Sequence, residues 1–262
     1  MVDAPRRLAR FAGGAVVAVA ALTSASVAQA APADVNPFIV GGQDANIADH
    51  PFTVALTTPD GQQFCGGSLV AENKVLTAAH CTDGQQAADI KVVSGRTTMS
   101  SSEGTVSDVT DVWIHPEYTD ATKGFDVSVL TLGAPVQEAP IELATADDPS
   151  YAPDTEATIL GWGNTSEGGQ QSDHLQKAAV PVSSDETCSQ AYPEYSNESM
   201  VCAGLPEGGV DSCQGDSGGP MVAGGRLIGV VSWGQGCAQA GFPGVYARVG
   251  AYNDVITEQI NS

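Results

Sequence analysis

A histidine, an aspartate and a serine in this chain each sit in a local setting that could support nucleophilic chemistry. His80 lies in Leu76-Thr77-Ala78-Ala79-His80-Cys81, between small residues and a cysteine. Asp126 enters the apolar run Gly124-Phe125-Asp126-Val127-Ser128-Val129-Leu130, and Ser217 lies in Gly215-Asp216-Ser217-Gly218-Gly219-Pro220. Each alone has a plain structural explanation: a packing histidine, one acid among 31, a glycine-rich turn. Glycines beside a serine do more than turn, because they let backbone N–H groups approach a ligand closely, as an oxyanion requires. The chain order His, Asp, Ser is also one known arrangement for acyl transfer, in which a base takes the serine proton and an acid orients the base.

Such a constellation must be positioned by elements distant in sequence. Short apolar or alternating runs separated by turn residues, such as Phe52 to Leu56, Val127 to Leu132, Thr155 to Leu160 and Leu227 to Ser232, predict an all-β barrel or sandwich. Only the end reads as a helix: Val249, Tyr252, Val255, Ile256 and Ile260 recur at helical spacing, with Asp254 and Glu258 on the other face. Between Gly133 and Tyr151, Pro135, Pro140, Pro149 and Asp147-Asp148 make poor sheet material, so this stretch is expected to join two halves. No internal repeat or low-complexity segment is visible.

The N-terminus is expected to be an export signal. Arg6, Arg7 and Arg10 precede an apolar run from Phe11 to Leu22, and Ala28-Gln29-Ala30 supplies a small-x-small cleavage pattern. A bilayer span needs about 20 apolar residues, so a membrane anchor is the poorer reading. Arg6-Arg7 leaves a twin-arginine route open beside the general one. Secretion into an oxidising compartment makes disulfides the default for Cys65, Cys81, Cys188, Cys202, Cys213 and Cys237, and the lack of any Cys-x-x-Cys pair argues against a metal.

Composition narrows the class further. With 10 Lys and Arg against 31 Asp and Glu, the formal charge of −21 argues against nucleic-acid binding. At 42% hydrophobic, the chain is nonetheless globular rather than an acidic disordered tail. Three of the Arg, Arg6, Arg7 and Arg10, lie in the N-terminal segment, and only seven basic residues lie beyond it. It is the bases that are scarce, not the acids that are abundant.

Assembled in order, these motifs resemble the trypsin and chymotrypsin family of serine proteases, most closely its bacterial trypsin-like members. The resemblance spans Ile39 to Ser262 and includes Ile39-Val40-Gly41-Gly42, Cys65-Gly66-Gly67-Ser68, Ala78-Ala79-His80-Cys81, Gly161-Trp162-Gly163, Ser232-Trp233-Gly234 and Pro243-Gly244-Val245-Tyr246. It implies an all-β fold of two packed six-stranded antiparallel barrels with a C-terminal helix. The implied triad is His80, Asp126 and Ser217, with an oxyanion hole from the N–H groups of Gly215 and Ser217. Asp211 would form the base of the primary pocket, Ser212 would add a hydroxyl, and Gly234 and Gly244 would wall it. Ser232, Trp233 and Gly234 would pair with the substrate backbone as an added strand. Cleavage after Arg and Lys follows as the expected specificity.

The resemblance also implies maturation. Residues 1–30 would be a signal peptide, 31–38 an activation peptide, and 39–262 the protease domain, its free Ile39 amine pairing with Asp216. Phe38 precedes the cut where Lys or Arg is usual, so a different protease is the expected activator. The implied disulfides are Cys65–Cys81, Cys188–Cys202 and Cys213–Cys237. No cofactor and no metal is expected: Arg96 stands in the family's calcium loop near Gly95 to Asp108, and Arg248 opposite Asp185 at a second site. Polypeptide substrates, the activating protease and proteinaceous inhibitors are the expected partners of a secreted monomer. The rival reading is a protease-shaped binding protein without catalysis, disfavoured because no member of the implied site is missing.

Overall fold

The computed structural model describes residues 1–3 and 39–262, so residues 4–38, with nearly all of the expected signal and activation peptides, lie outside the described residues. The chain divides into two units, Met1–Val35 and Asn36–Ser262, and the second carries the fold. It begins with a two-residue strand, β1 (Gln43–Asp44). Then come β2 (Thr53–Thr57), β3 (Gln63–Ala71), β4 (Lys74–Thr77), β5 (Lys91–Ser94), β6 (Thr105–Ile114) and β7 (Ser128–Leu132). A one-turn helix, α1 (Ala79–Thr82), follows β4. These six strands close a barrel in the order β2-β3-β4-β7-β6-β5. Its interior is filled by Leu56, Leu69, Leu76, Val92 and Leu130, all fully buried, each worth about 1.5–3 kcal/mol relative to exposure.

The second half contributes β8 (Glu142–Leu143), β9 (Glu156–Gly161), β10 (Gln176–Pro181), β11 (Met200–Ala203), β12 (Pro220–Ala223), β13 (Arg226–Trp233) and β14 (Gly244–Arg248). Six of these run β10-β9-β12-β13-β14-β11, and an isolated bridge, Val182 to Ala203, brings the two ends of that row together. Two short strands are added to the expected count, because β1 pairs with β10 and β8 pairs in parallel with β13. The stretch expected to hold no sheet therefore carries one small piece of it. Its prolines flank Glu142–Leu143 without interrupting it, and Ile141 and Ala144 on either side are buried.

The helices are short. Ser184 caps α2 (Asp185–Ala191) by accepting from Thr187 N–H, satisfying one of the first-turn donors. The C-terminal helix α3 (Asn253–Ile260) buries Ile256, with Val249 and Tyr252 buried in the turn before it, as the apolar spacing predicted. Between the two barrels, Ala55 and Val93 pack with Leu160, Trp162 and Leu175. Five of the seven basic residues beyond Phe38 lie within strands: Lys74, Lys91, Lys177, Arg226 and Arg248. Only Arg96 and Lys123 stand outside them.

Candidate active site

The one-turn helix α1 and the segment just before β7 bring His80 and Asp126 together from 46 residues apart. Asp126 is buried to 1% exposure, and its carboxylate is grasped at three points. Its Oδ2 lies 2.8 Å from His80 Nδ1, its Oδ1 accepts His80 N–H at 2.9 Å, and Oδ2 also accepts the Ser232 hydroxyl at 2.5 Å. A carboxylate on Nδ1 fixes the tautomer that leaves Nε2 free to accept a proton. Ser232, expected only to offer its backbone, thus also supplies a hydroxyl across the interface to the acid of the opposite barrel. His80 itself stays open, with a quarter of its side chain exposed.

Ser217 is tied to the first barrel through backbone contacts. Its carbonyl accepts Gly66 N–H of β3 at 2.7 Å, and a Cβ on Gly218 would lie 3.1 Å from the nitrogen of Ala78, two residues before His80. Gly215, with φ +96°, adopts a conformation that L side chains rarely reach. Among the described residues, neither Gly215 N–H nor Ser217 N–H donates to a protein acceptor.

Ser217 opens onto a pocket of about 140 Å³ whose floor is Asp211. Asp211 is 6% exposed and accepts the N–H groups of Ser212 and Ala238 at 2.8 and 3.1 Å. Burial pushes its carboxyl up to about 6, against the pull of those donors. Ser212, Gly234 and Gly244 line the same pocket. A Cβ on Gly244 would sit 2.7 Å from Asp211 Oδ1 and 3.2 Å from the hydroxyl of Tyr246, so any side chain there would block the floor. Tyr246, two residues on, is fully buried behind Gly244, and nothing in the sequence placed it there.

The Ile39 segment is joined to the same floor. Ile39 is fully buried, and Asp211 N–H donates to the Val40 carbonyl at 3.1 Å. Asp216 is 1% exposed and accepts Gly163 N–H at 2.8 Å and Cys213 N–H at 2.9 Å. Burial raises its carboxyl to about 7, despite those donors and helped by the negative Asp211.

The three disulfides join Cys65 to Cys81, Cys188 to Cys202 and Cys213 to Cys237. Cys65, His80 and Cys81 lie close enough to hold a metal, but the two sulfurs are bonded to each other. Arg96 donates to the Glu103 carbonyl at 2.6 Å within its own loop. Arg248 stands 3.9 Å over the Tyr151 ring, and Asp185 instead accepts from Tyr195 and Asn197. His50 and His115 are lowered below the usual imidazole range, mainly by burial, and His115 stacks on Phe125 at 4.9 Å. Among the described residues, no helix is long and apolar enough to cross a membrane.

A β-barrel pair carrying an Asp–His couple on one side and a serine in a glycine-rich turn on the other has the parts of a serine hydrolase. The family model described as Trypsin matches residues 39–256. A trypsin of Saccharopolyspora erythraea is 77% identical over 224 residues, covering 86% of this chain and 99% of that protein. Trypsin 5G1 of Aedes aegypti is 43% identical, covering 84% of each chain, and trypsin-2 of Salmo salar is 40% identical, covering 84% of this chain and 94% of its own. The chain belongs to the trypsin family and is a trypsin-like serine endopeptidase.

Proposed function

We propose that the chain is exported as a precursor and that, once cut before Ile39, it hydrolyses peptide bonds after Arg and Lys. The observation that carries the specificity is Asp211, a buried carboxylate at the floor of a pocket whose other walls include three glycines. A buried carboxylate without a cation is costly, and an incoming guanidinium or ammonium relieves that cost. Ser212 adds a hydroxyl that suits Lys as well as Arg.

In the mechanism, His80 Nε2 takes the Ser217 proton as Oγ attacks the acyl carbon. Asp126 holds the ring and stabilises the imidazolium. The N–H groups of Gly215 and Ser217 receive the developing oxyanion, where one such donor is typically worth about 3–4 kcal/mol. His80 then protonates the leaving amine, and a water repeats the sequence on the acyl-enzyme. Ser232, Trp233 and Gly234 align the substrate backbone.

Maturation follows from the Ile39 segment. Freed as an α-amine, Ile39 would give the buried Asp216 carboxylate a cation and so order Gly215 and the pocket floor. Phe38 is a poor match to the pocket, so another protease performs the cut. Residues 1–30 and 31–38 are the export and activation segments of this reading, the three disulfides suit an extracellular site, and inhibitor proteins are natural partners.

The test compares ester substrates of Arg, Lys, Phe and Leu on the chain cut before Ile39. Arg and Lys esters should turn over fastest, and a Ser217→Ala form should lose about a millionfold in kcat. Equal turnover of Phe and Arg esters would remove the pocket assignment, and near-wild-type hydrolysis by the Ser217→Ala form would remove the mechanism. Incubating the uncut chain alone should leave the Phe38–Ile39 bond intact; rapid self-maturation there would remove the need for an activator.

A further inference from the structure

Gly215 is asked to aim an N–H at a developing charge, yet glycine is the residue least able to hold an aim by itself. Two hydrogen bonds hold it here. The carbonyl of Gln214 accepts Asn164 N–H at 2.7 Å. In a planar trans peptide the carbonyl and the following N–H point oppositely, so this bond turns Gly215 N–H away from Asn164. The next peptide is held from the other barrel: Gln63 Nε2 donates to the Gly215 carbonyl at 2.9 Å, across 152 residues of chain.

Gln63 is built for that contact. It begins β3 in the first barrel, is only 8% exposed, and its amide nitrogen also faces the Cys65 carbonyl at 3.4 Å. Its NH₂ therefore serves two carbonyl acceptors, which a carboxylate could not do. Gln171 closes the arrangement: its side chain donates to the Gln63 carbonyl at 3.4 Å, and a Cβ on Gly215 would come 2.5 Å from its Nε2.

We propose that Gln63 is a positioning residue for the oxyanion hole, with the first barrel pinning the Gly215 peptide of the second. This rests on the triad and oxyanion assignment above. Gln63 touches no substrate; it restricts the directions Gly215 N–H can take before the oxyanion forms. Its loss acts on the transition state rather than on the pocket.

The experiment uses the chain cut before Ile39 and carrying Gln63→Ala or the near-isosteric Gln63→Glu. For Gln63→Ala, kcat on an Arg ester should fall about tenfold, less than loss of a whole oxyanion donor, with KM within about twofold. Affinity for a peptide aldehyde ending in Arg, which forms a tetrahedral oxyanion, should fall in parallel, while benzamidine affinity stays unchanged. In Gln63→Glu, a protonated carboxyl can still donate but an ionised one repels both carbonyls. The variant's kcat relative to wild type should therefore fall as pH rises through that carboxyl's titration. Unchanged kcat in both variants, or aldehyde and benzamidine weakening together, would overturn the proposal. A wild type inert toward Arg and Lys esters would instead remove the underlying reading, an outcome separable from an active wild type whose variants keep full kcat.

Discussion

The two halves of the site treat buried negative charge differently. In the first barrel, Asp126 is buried and met by three donors, one of them the His80 ring it serves. In the second, Asp211 and Asp216 are also buried but, among the described residues, rest on N–H groups and the Ser212 hydroxyl alone, and both carboxyls are pushed well above the usual carboxylate range. The first acid is complete within the fold. In the proposed function the other two await a cation, from the substrate in one case and from the chain's own new terminus in the other. On that proposal, specificity and maturation use one physical device twice, a desolvated carboxylate awaiting its partner.

The largest effect expected from this contrast is at Asp211. In Asp211→Asn, kcat/KM for Arg esters should fall roughly a hundredfold to several-thousandfold, the equivalent of about 3–5 kcal/mol for a broken buried pair. Leu esters should be nearly indifferent; an equal loss on both would show that the floor is structural. In the native enzyme, KM for cationic substrates should rise as pH falls below about 6, where Asp211 takes up its proton.

Asp216 gives a stability signature. An aspartate raised to about 7 by folding favours the uncut chain below its unfolded value of about 4, and that advantage is lost as pH climbs toward the folded value. In the proposed maturation, cutting before Ile39 supplies an amine that keeps the carboxylate ionised and paired. The melting temperatures of cut and uncut chains should therefore lie closest near pH 4 and furthest apart near neutrality. They should converge again as the amine deprotonates at alkaline pH. A gap independent of pH would break the comparison.

Smaller effects sharpen it. Ser232→Ala removes one of three donors from an acid that keeps the other two. A loss of about tenfold in kcat with little change in KM is expected, the scale of one hydrogen bond to a charge. Least of all, Ala238→Gly should stabilise. Ala238 sits at φ +60°, where its N–H reaches Asp211. Relief of that strain, about 1–2 kcal/mol, should slightly exceed the added freedom of glycine when unfolded, raising the melting temperature by about 1–2 °C.

Much of this was legible in the sequence because the chemistry is local. His80 and Ser217 each stand within a run of residues whose types suggest chemistry, Asp211 was reached only through the family resemblance, and the apolar runs marked the main strands. What could not be read depends on contacts between distant segments. Gln63 looks like any polar residue entering a strand, and only the partner 152 residues away gives it meaning. The strand Glu142–Leu143 hid among prolines because a parallel pair of two residues leaves no alternation to detect. The hydroxyl of Ser232 was invisible for the same reason as Gln63, since its acceptor belongs to the other barrel.

The placement of the basic residues has one further consequence. Five of the seven lie in hydrogen-bonded strands, whereas a protease must draw its target into an extended, unpaired stretch before it can cut. If the enzyme cleaves after Arg and Lys, most of its own vulnerable bonds are concealed by the fold that makes the blade. Its working lifetime is then set by how seldom a barrel opens, and Arg96 and Lys123 are the two places where a neighbouring copy could begin without waiting.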